Sequence, residues 1–168
     1  MIIREETRED AADIRRLTQQ AFEPMPFSSG TEPAIIEALR NEGQLTLSLV
    51  AEDEGVIIGQ ITFSPVTVGG KHGGWFGLGP VSVPPERQGE RVGSQLIKRG
   101  LDVLKQDGAK GCVLIGDPNY YSRFGFINNT ELYYGGLDRQ FVQKLSFVLP
   151  ERNGQLKYCD AFEKAASP

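Results

Sequence analysis

Val83-Pro-Pro-Glu-Arg-Gln-Gly-Glu-Arg-Val-Gly-Ser94 joins two stretches of opposite periodicity. Before it, Trp75 to Val83 reads as a strand interrupted by Gly77, Gly79 and Pro80, residues that weaken a strand and mark a bulge. After it, Val92, Leu96, Ile97, Gly100, Leu101 and Leu104 recur at helical spacing until Gly108. A helix start carries unpaired N–H groups and a partial positive charge. Glycines in the loop let the backbone approach an anion, and Arg87 and Arg91 add formal charge beside it. These features make a phosphate cradle. Glycine-containing turns also precede ordinary surface helices, so the loop decides nothing without a second motif.

That motif follows the helix. Leu114-Ile-Gly-Asp-Pro-Asn-Tyr-Tyr-Ser-Arg-Phe-Gly-Phe126 begins in the short apolar strand Gly111–Ile115, which is of the buried type. It places Asn119, Tyr120, Tyr121 and Arg123 just past the carboxyl end of that strand, where α/β sheets gather their ligand sites. Buried tyrosines more often pack with a satisfied hydroxyl. The packing role falls to Tyr120 and the chemical role to Tyr121.

Further out, Ile2 and Ile3 open a first strand, and Thr7 with Asp10 forms a weak capping box before a helix carrying Ile14, Leu17, Ala21 and Phe22. Pro24 and Pro26 break that helix, so residues 23–30 read as an exposed loop. A second helix runs from Thr31 to Gly43. Strands follow at Leu45–Ala51 and Val56–Val68, joined by the hairpin turn Asp53-Glu-Gly55. Phe141–Leu149 is the clearest late strand, and Asn153-Gly154 a turn. The order is α+β, and the strand–helix–strand segment over 75–116 implies a right-handed parallel crossover. A mostly antiparallel mixed sheet is expected, with one parallel splice between the strands at 75–83 and 111–116. No linker or repeat divides the chain, so residues 1–168 read as a single domain.

The bulk properties exclude several classes. The chain has 168 residues and a formal net charge of −4, against the basic face that nucleic acid requires. Its two cysteines, Cys112 and Cys159, have no metal-ligand spacing. His72 stands alone in a glycine-rich turn, so no metal is expected. The amino terminus lacks the apolar core of a signal peptide and no run reaches membrane-spanning length, so the protein reads as cytoplasmic with no membrane partner.

With both motifs in order, the chain resembles the GNAT superfamily of acetyl-CoA-dependent N-acetyltransferases along nearly its whole length. Gln88-Gly89-Glu90-Arg91-Val92-Gly93 is similar to the family's Gln/Arg-x-x-Gly-x-Gly/Ala pyrophosphate loop, with Arg91 where the family prefers glycine. Gly79-Pro-Val-Ser-Val83 resembles the bulged strand whose main chain pairs with pantetheine. Tyr121-Ser-Arg-Phe-Gly-Phe126 resembles the family's Tyr-x-x-x-Gly-Phe, and the fuller Gly-Asp-Pro-x-Tyr-Tyr-x-Arg-Phe-Gly-Phe string a bacterial subgroup often called YhbS-like. The resemblance implies a three-layer α/β/α fold and acetyl transfer from acetyl-CoA, as co-substrate, to a primary amine by direct attack in a ternary complex. It implies Tyr121 as general acid. For the coenzyme it implies contacts from Val81, Ser82, Val83, Arg87, Gln88, Gly89, Glu90, Arg91, Val92, Gly93, Ser94, Asn119, Tyr121 and Arg123.

Many family members place a basic carboxylate on the strand at 75–83. None stands there, and Asp117 and Glu52 are weak substitutes. A base acting through water, or none for an amine that binds neutral, both remain. The acceptor is a small-molecule or protein amine, with a homodimer admissible. The alternative is a non-catalytic acyl-CoA sensor or scaffold. A dinucleotide-dependent oxidoreductase is disfavoured, since no early strand precedes Gly-x-Gly-x-x-Gly.

Overall fold

The computed structural model describes residues 1–26, 28–128 and 130–166. Phe27, within the loop read at 23–30, and Asn129 lie outside the described residues, as do Ser167 and Pro168. The elements are β1 (Ile2–Glu5), α1 (Ala11–Phe22), α2 (Glu32–Asn41), β2 (Leu47–Asp53), β3 (Val56–Pro65), β4 (Thr67–Val68), β5 (Trp75–Ser82), α3 (Val92–Gln106), β6 (Gly111–Ile115), α4 (Pro118–Tyr121), β7 (Leu132–Tyr133), β8 (Val142–Ser146), β9 (Gly154–Lys157) and α5 (Asp160–Ala166).

Six strands form the main sheet in the order β1-β2-β3-β5-β6-β8. Every neighbouring pair in it is antiparallel except β5–β6, the expected parallel splice. Glu54 and Gly55 both take positive φ (50° and 78°), as a tight two-residue hairpin between β2 and β3 requires.

α3 lies almost on the sheet backbone. A Cβ on Gly100 would stand 2.4 Å from the Phe63 ring, and one on Gly59 would stand 2.6 Å from Val92. This face buries Leu96, Ile97 and Leu104 against Leu49, Ile61 and Leu78. On the opposite face α1 and α2 cover one half of the sheet, with Ile14 and Ile36 against Val50. A small sheet of order β4-β9-β7 covers the other half, packing Leu132 and Leu156 on Trp75, Val113 and Val142. α5 then docks on α2 through Ala161, Ile35 and Leu39.

The structure departs from the sequence reading in several strands and at the carboxyl end. The strand expected at Val56–Val68 is two: β3 ends at Pro65, which has no N–H for a ladder, and β4 joins the small sheet. That sheet contains a second parallel pair, β7–β9. The late strand expected at Phe141–Leu149 is confined to Val142–Ser146. α5 was not anticipated at all.

The entry into α1 is held by charge. Asp10 accepts from the Thr7 N–H at 2.7 Å and from Arg4 Nη1 and Nη2 at 2.8 and 3.1 Å. Asp10 is buried, and the Arg4 guanidinium lowers its carboxyl from the usual 3.8 to about 2. The ionised form is thus favoured by folding, and its contribution is complete above the unfolded pKa. It is lost as pH falls towards 2. Asp10→Asn is expected to cost about 1–3 kcal/mol at neutral pH. Denaturant melts of the two proteins should converge between pH 4 and pH 2. A gap that stays constant with pH would remove the ion-pair account.

Candidate functional site

β5 and β6 pair only over Trp75–Gly77 and Gly111–Val113. Beyond that point the strands part, and the register between β3 and β5 skips at Ile61/Phe63, opposite Gly79 and Pro80. The parting opens at the carboxyl end of β6. On one side of it the chain leaves β5 and enters α3, and on the other lies the short α4.

The α3 entrance is an uncapped helix start. Its first backbone bond runs from the Gln95 N–H to the Arg91 carbonyl at 3.1 Å, and no side chain caps it. The N–H groups of Val92, Gly93 and Ser94 therefore have no helical acceptor. Arg91 takes the left-handed conformation (φ 65°, ψ 19°), and Gly89 has φ 86°. The turn needs positive φ where the family places glycine, and here an arginine adopts it at a cost of about 1–2 kcal/mol. A Cβ on Gly93 would stand 3.6 Å from Val83 and 3.9 Å from the Tyr120 hydroxyl, an ordinary contact.

These residues line a cavity of about 580 Å³. Of the residues read from the sequence, Val83, Gln88, Gly89, Arg91, Val92, Gly93, Ser94 and Arg123 face it. Lys98 and Tyr120 face it too, and neither was anticipated there. Lys98 sits one turn beyond Ser94 on the same face of α3, a spacing that could have flagged it. The Arg123 guanidinium lies 4.4 Å over the Tyr120 ring. Backbone donors, a helix terminus and three cations thus surround one cavity. This arrangement attracts a multiply charged anion.

Of the anticipated residues, Gln88 has a second task and the others stand elsewhere. Arg87 turns away, donating from Nη2 to Asp53 at 2.6 Å with Nε 3.6 Å from Glu90. Gln88 donates to the Val83 carbonyl at 3.0 Å, and so ties the loop to the end of β5. Val81 pairs with Ile61 inside the sheet. Ser82 is buried, its hydroxyl 3.4 Å from that of Thr18 on α1. Asn119 is exposed, with its N–H on Asp117 Oδ1 at 2.9 Å, so Asp117 serves as the cap of α4. Glu52 pairs with Arg4 at 3.5 Å near the far edge of the sheet.

Tyr121 ends α4, just past the carboxyl end of β6. Its ring packs on Gly116, whose Cβ would come within 2.6 Å of Tyr121 Cε2. Tyr120 and Phe126 box it edge-on at centroid distances of 5.0 and 6.2 Å. Burial, reinforced by the hydroxyl of Tyr120 and the carboxylate of Asp117, pushes its hydroxyl up to about 12. The group keeps its proton across the physiological range. Among the described residues no cluster of His, Cys, Asp and Glu could hold a metal ion, and no helix is long and apolar enough to cross a membrane.

The acetyltransferase (GNAT) domain family matches residues 2–127. The N-acetyltransferase YhbS of Escherichia coli is 42% identical over 127 residues, covering 75% of this chain and 73% of YhbS. The structure of YhbS in complex with CoA superposes with a TM-score of 0.87 over 96% of this chain and 91% of that one, at 34% identity. A GNAT family acetyltransferase from Brucella melitensis, in complex with acetyl-CoA, is 47% identical and gives 0.86 over 96% and 97% of the two chains. Fold, cradle and kinship agree, and the chain belongs to the GNAT acetyltransferase family.

Proposed function

We propose that the protein is a single-domain enzyme that transfers an acetyl group from acetyl-CoA to a primary amine, by direct attack in a ternary complex. The observation that carries this is the uncapped α3 start, ringed by Arg91, Lys98 and Arg123, beside the point where β5 and β6 part, with Tyr121 just past the end of β6. The cradle takes the pyrophosphate. The parting takes the pantetheine arm, and the β5 bulge offers backbone groups to the thioester carbonyl. The amine nitrogen bonds to the carbonyl carbon, the C–S bond breaks, and the Tyr121 proton passes to the departing sulfur. The proton lost by the amine leaves through water, which restores Tyr121. Holding the two substrates together supplies much of the acceleration.

Calorimetry tests the first half: acetyl-CoA should bind far more tightly than NAD or ATP, and equal or absent binding would sink the proposal. Release of free thiol against a panel of amines tests the second. One observation favours a non-catalytic acyl-CoA sensor instead: the Asp117 carboxylate is engaged as the cap of α4 and Glu52 is paired with Arg4 near the far edge of the sheet. Acetyl-CoA binding with no transfer to any amine would establish that alternative.

Arg91 gives a sharper test of the cradle. Arg91→Ala loses the cation but keeps the strained backbone, and should weaken coenzyme A binding by about 1–3 kcal/mol. Arg91→Gly loses the same cation and relieves the left-handed strain, so it should be more stable than Arg91→Ala by about 1 kcal/mol. Equal affinity of wild type and both variants would mean that the side chain points to solvent.

A further inference from the structure

The two faces of the main sheet differ in kind. Towards α3 the buried side chains are apolar. Towards α1 and α2 they are largely polar: Ser48 on β2, Gln60, Thr62 and Ser64 on β3, Ser82 on β5 and Thr18 on α1 are all buried. A layer of packed helices gains nothing from such a row, since each group must find a partner or cost about 1–3 kcal/mol.

Two of these groups are left without a partner, the Ser64 hydroxyl and the Gln60 carbonyl, and of the two only the carbonyl belongs to a hydrogen-bonded chain that fixes its direction. The Gln60 side chain is 0% exposed, its Nε2 donates to the hydroxyls of Ser48 (3.3 Å) and Thr62, and its Oε1 has no partner. The orientation of the amide follows from the chain of bonds. Glu6 is paired with Arg40 at 2.8 Å, and as a carboxylate it can only accept. The single hydrogen of the Ser48 hydroxyl goes to Glu6, so Ser48 can only accept from Gln60. The end of the amide that faces Ser48 is therefore NH₂, and Oε1 is turned away from it. The neighbour of β3 on its other side is β5, and Thr62 falls opposite Gly79 and Pro80, where the register skips beside the parting of β5 and β6.

From this we infer that Gln60 is an amine-binding residue: its Oε1, held by the Glu6–Ser48–Gln60–Thr62 chain, accepts an N–H of the attacking amine on the face of the sheet opposite α3. The inference rests on the acetyl-transfer proposal above. A neutral carbonyl suits the task. It binds an uncharged amine through one N–H and leaves the nitrogen lone pair free for the thioester carbon. It takes up no proton, in keeping with a β5 that carries no carboxylate.

The probe is n-butylamine, which carries the amino group and little else, and so reports on this contact whatever body the natural acceptor has. At saturating acetyl-CoA, Gln60→Leu is expected to raise the KM for n-butylamine about tenfold or more, with coenzyme A affinity within about twofold of wild type. Thr62→Val, which keeps the shape and removes a hydroxyl that holds the amide, should raise it by a smaller factor. An unchanged KM in both variants would overturn the inference and leave Oε1 as the site of a buried structural water. If Gln60→Leu also loses coenzyme A binding, the sheet itself has been disturbed. Thr62→Val then decides, and an unchanged KM there overturns the inference. Absence of wild-type turnover with n-butylamine and with every other amine of the panel would sink this inference together with the transfer proposal. A variant that matches an active wild type sinks this inference alone.

Discussion

Tyr121→Phe is expected to lower turnover by about 10²-fold or more while acetyl-CoA affinity stays within about twofold. The substitution keeps the ring, and with it the packing on Gly116, Tyr120 and Phe126. It removes only the hydroxyl proton that, in the proposed transfer, passes to the departing sulfur. Burial gives this acid a wide working range. A tyrosine hydroxyl ordinarily titrates near 10, but here it is pushed up to about 12 because the ionised form would be stranded in a desolvated site. The protonated, active form therefore persists as pH rises. The pH–rate profile should show no descending limb from Tyr121 below about pH 10.5. Tyr120→Phe should behave differently, since its hydroxyl stands near Gly93 in the cradle. It should affect coenzyme A affinity more than turnover. Near-normal turnover in Tyr121→Phe with an identified acceptor would remove Tyr121 as the acid and leave the sensor alternative stronger.

How far the sequence reached depended on whether a feature was local. The α3 entrance was legible because helix spacing and loop glycines occupy adjacent positions. Its backbone shape even explains the family preference for glycine, since Arg91 adopts the left-handed conformation that glycine takes without strain. The small sheet was not legible. β4, β7 and β9 are two to four residues each, below the length at which alternation can be recognised, and they pair across long separations in sequence.

The direction of side chains was the second limit. Arg87 belongs to the same loop as Arg91, and charge alone suggested the same task. The partner that draws it away, Asp53, is on a hairpin 34 residues earlier. Gly59-Gln-Ile-Thr-Phe-Ser64 alternates as a strand with one wet face would, yet every residue in it is buried. Alternation reports polarity, not exposure, and here the polar face lies under α1. That burial is what gives the Gln60 carbonyl its meaning, and only three-dimensional structure reveals it.

Gly116→Ala should slow turnover about 10- to 100-fold, with a smaller effect on the cradle. Gly116 does not take positive φ, so its backbone accepts alanine. The added Cβ is another matter. It would stand 2.6 Å from Cε2 and 3.1 Å from Cδ2 of Tyr121, and 3.4 Å from Leu114. The backbone cannot retreat easily. The Gly116 N–H donates to the Phe141 carbonyl at 3.0 Å, and the Gly116 carbonyl accepts from Gln143 Nε2 at 2.9 Å. The ring must move instead, and Tyr120 and Phe126 limit where it can go. A displacement on the order of 1 Å carries the hydroxyl out of line with the sulfur, and misplacement of that size costs up to about 10²-fold in rate. Overpacking should also cost about 1–3 kcal/mol of stability. Coenzyme A affinity should fall less than turnover, because the phosphate-facing groups other than Tyr120 and Arg123 lie on α3 and the loop before it. The double variant with Tyr121→Phe is the decisive comparison. If both changes act on the same proton, the pair should be no more than about threefold slower than Tyr121→Phe alone, the non-additivity expected of coupled sites. Rate losses that multiply would mean that Gly116→Ala acts on something other than Tyr121.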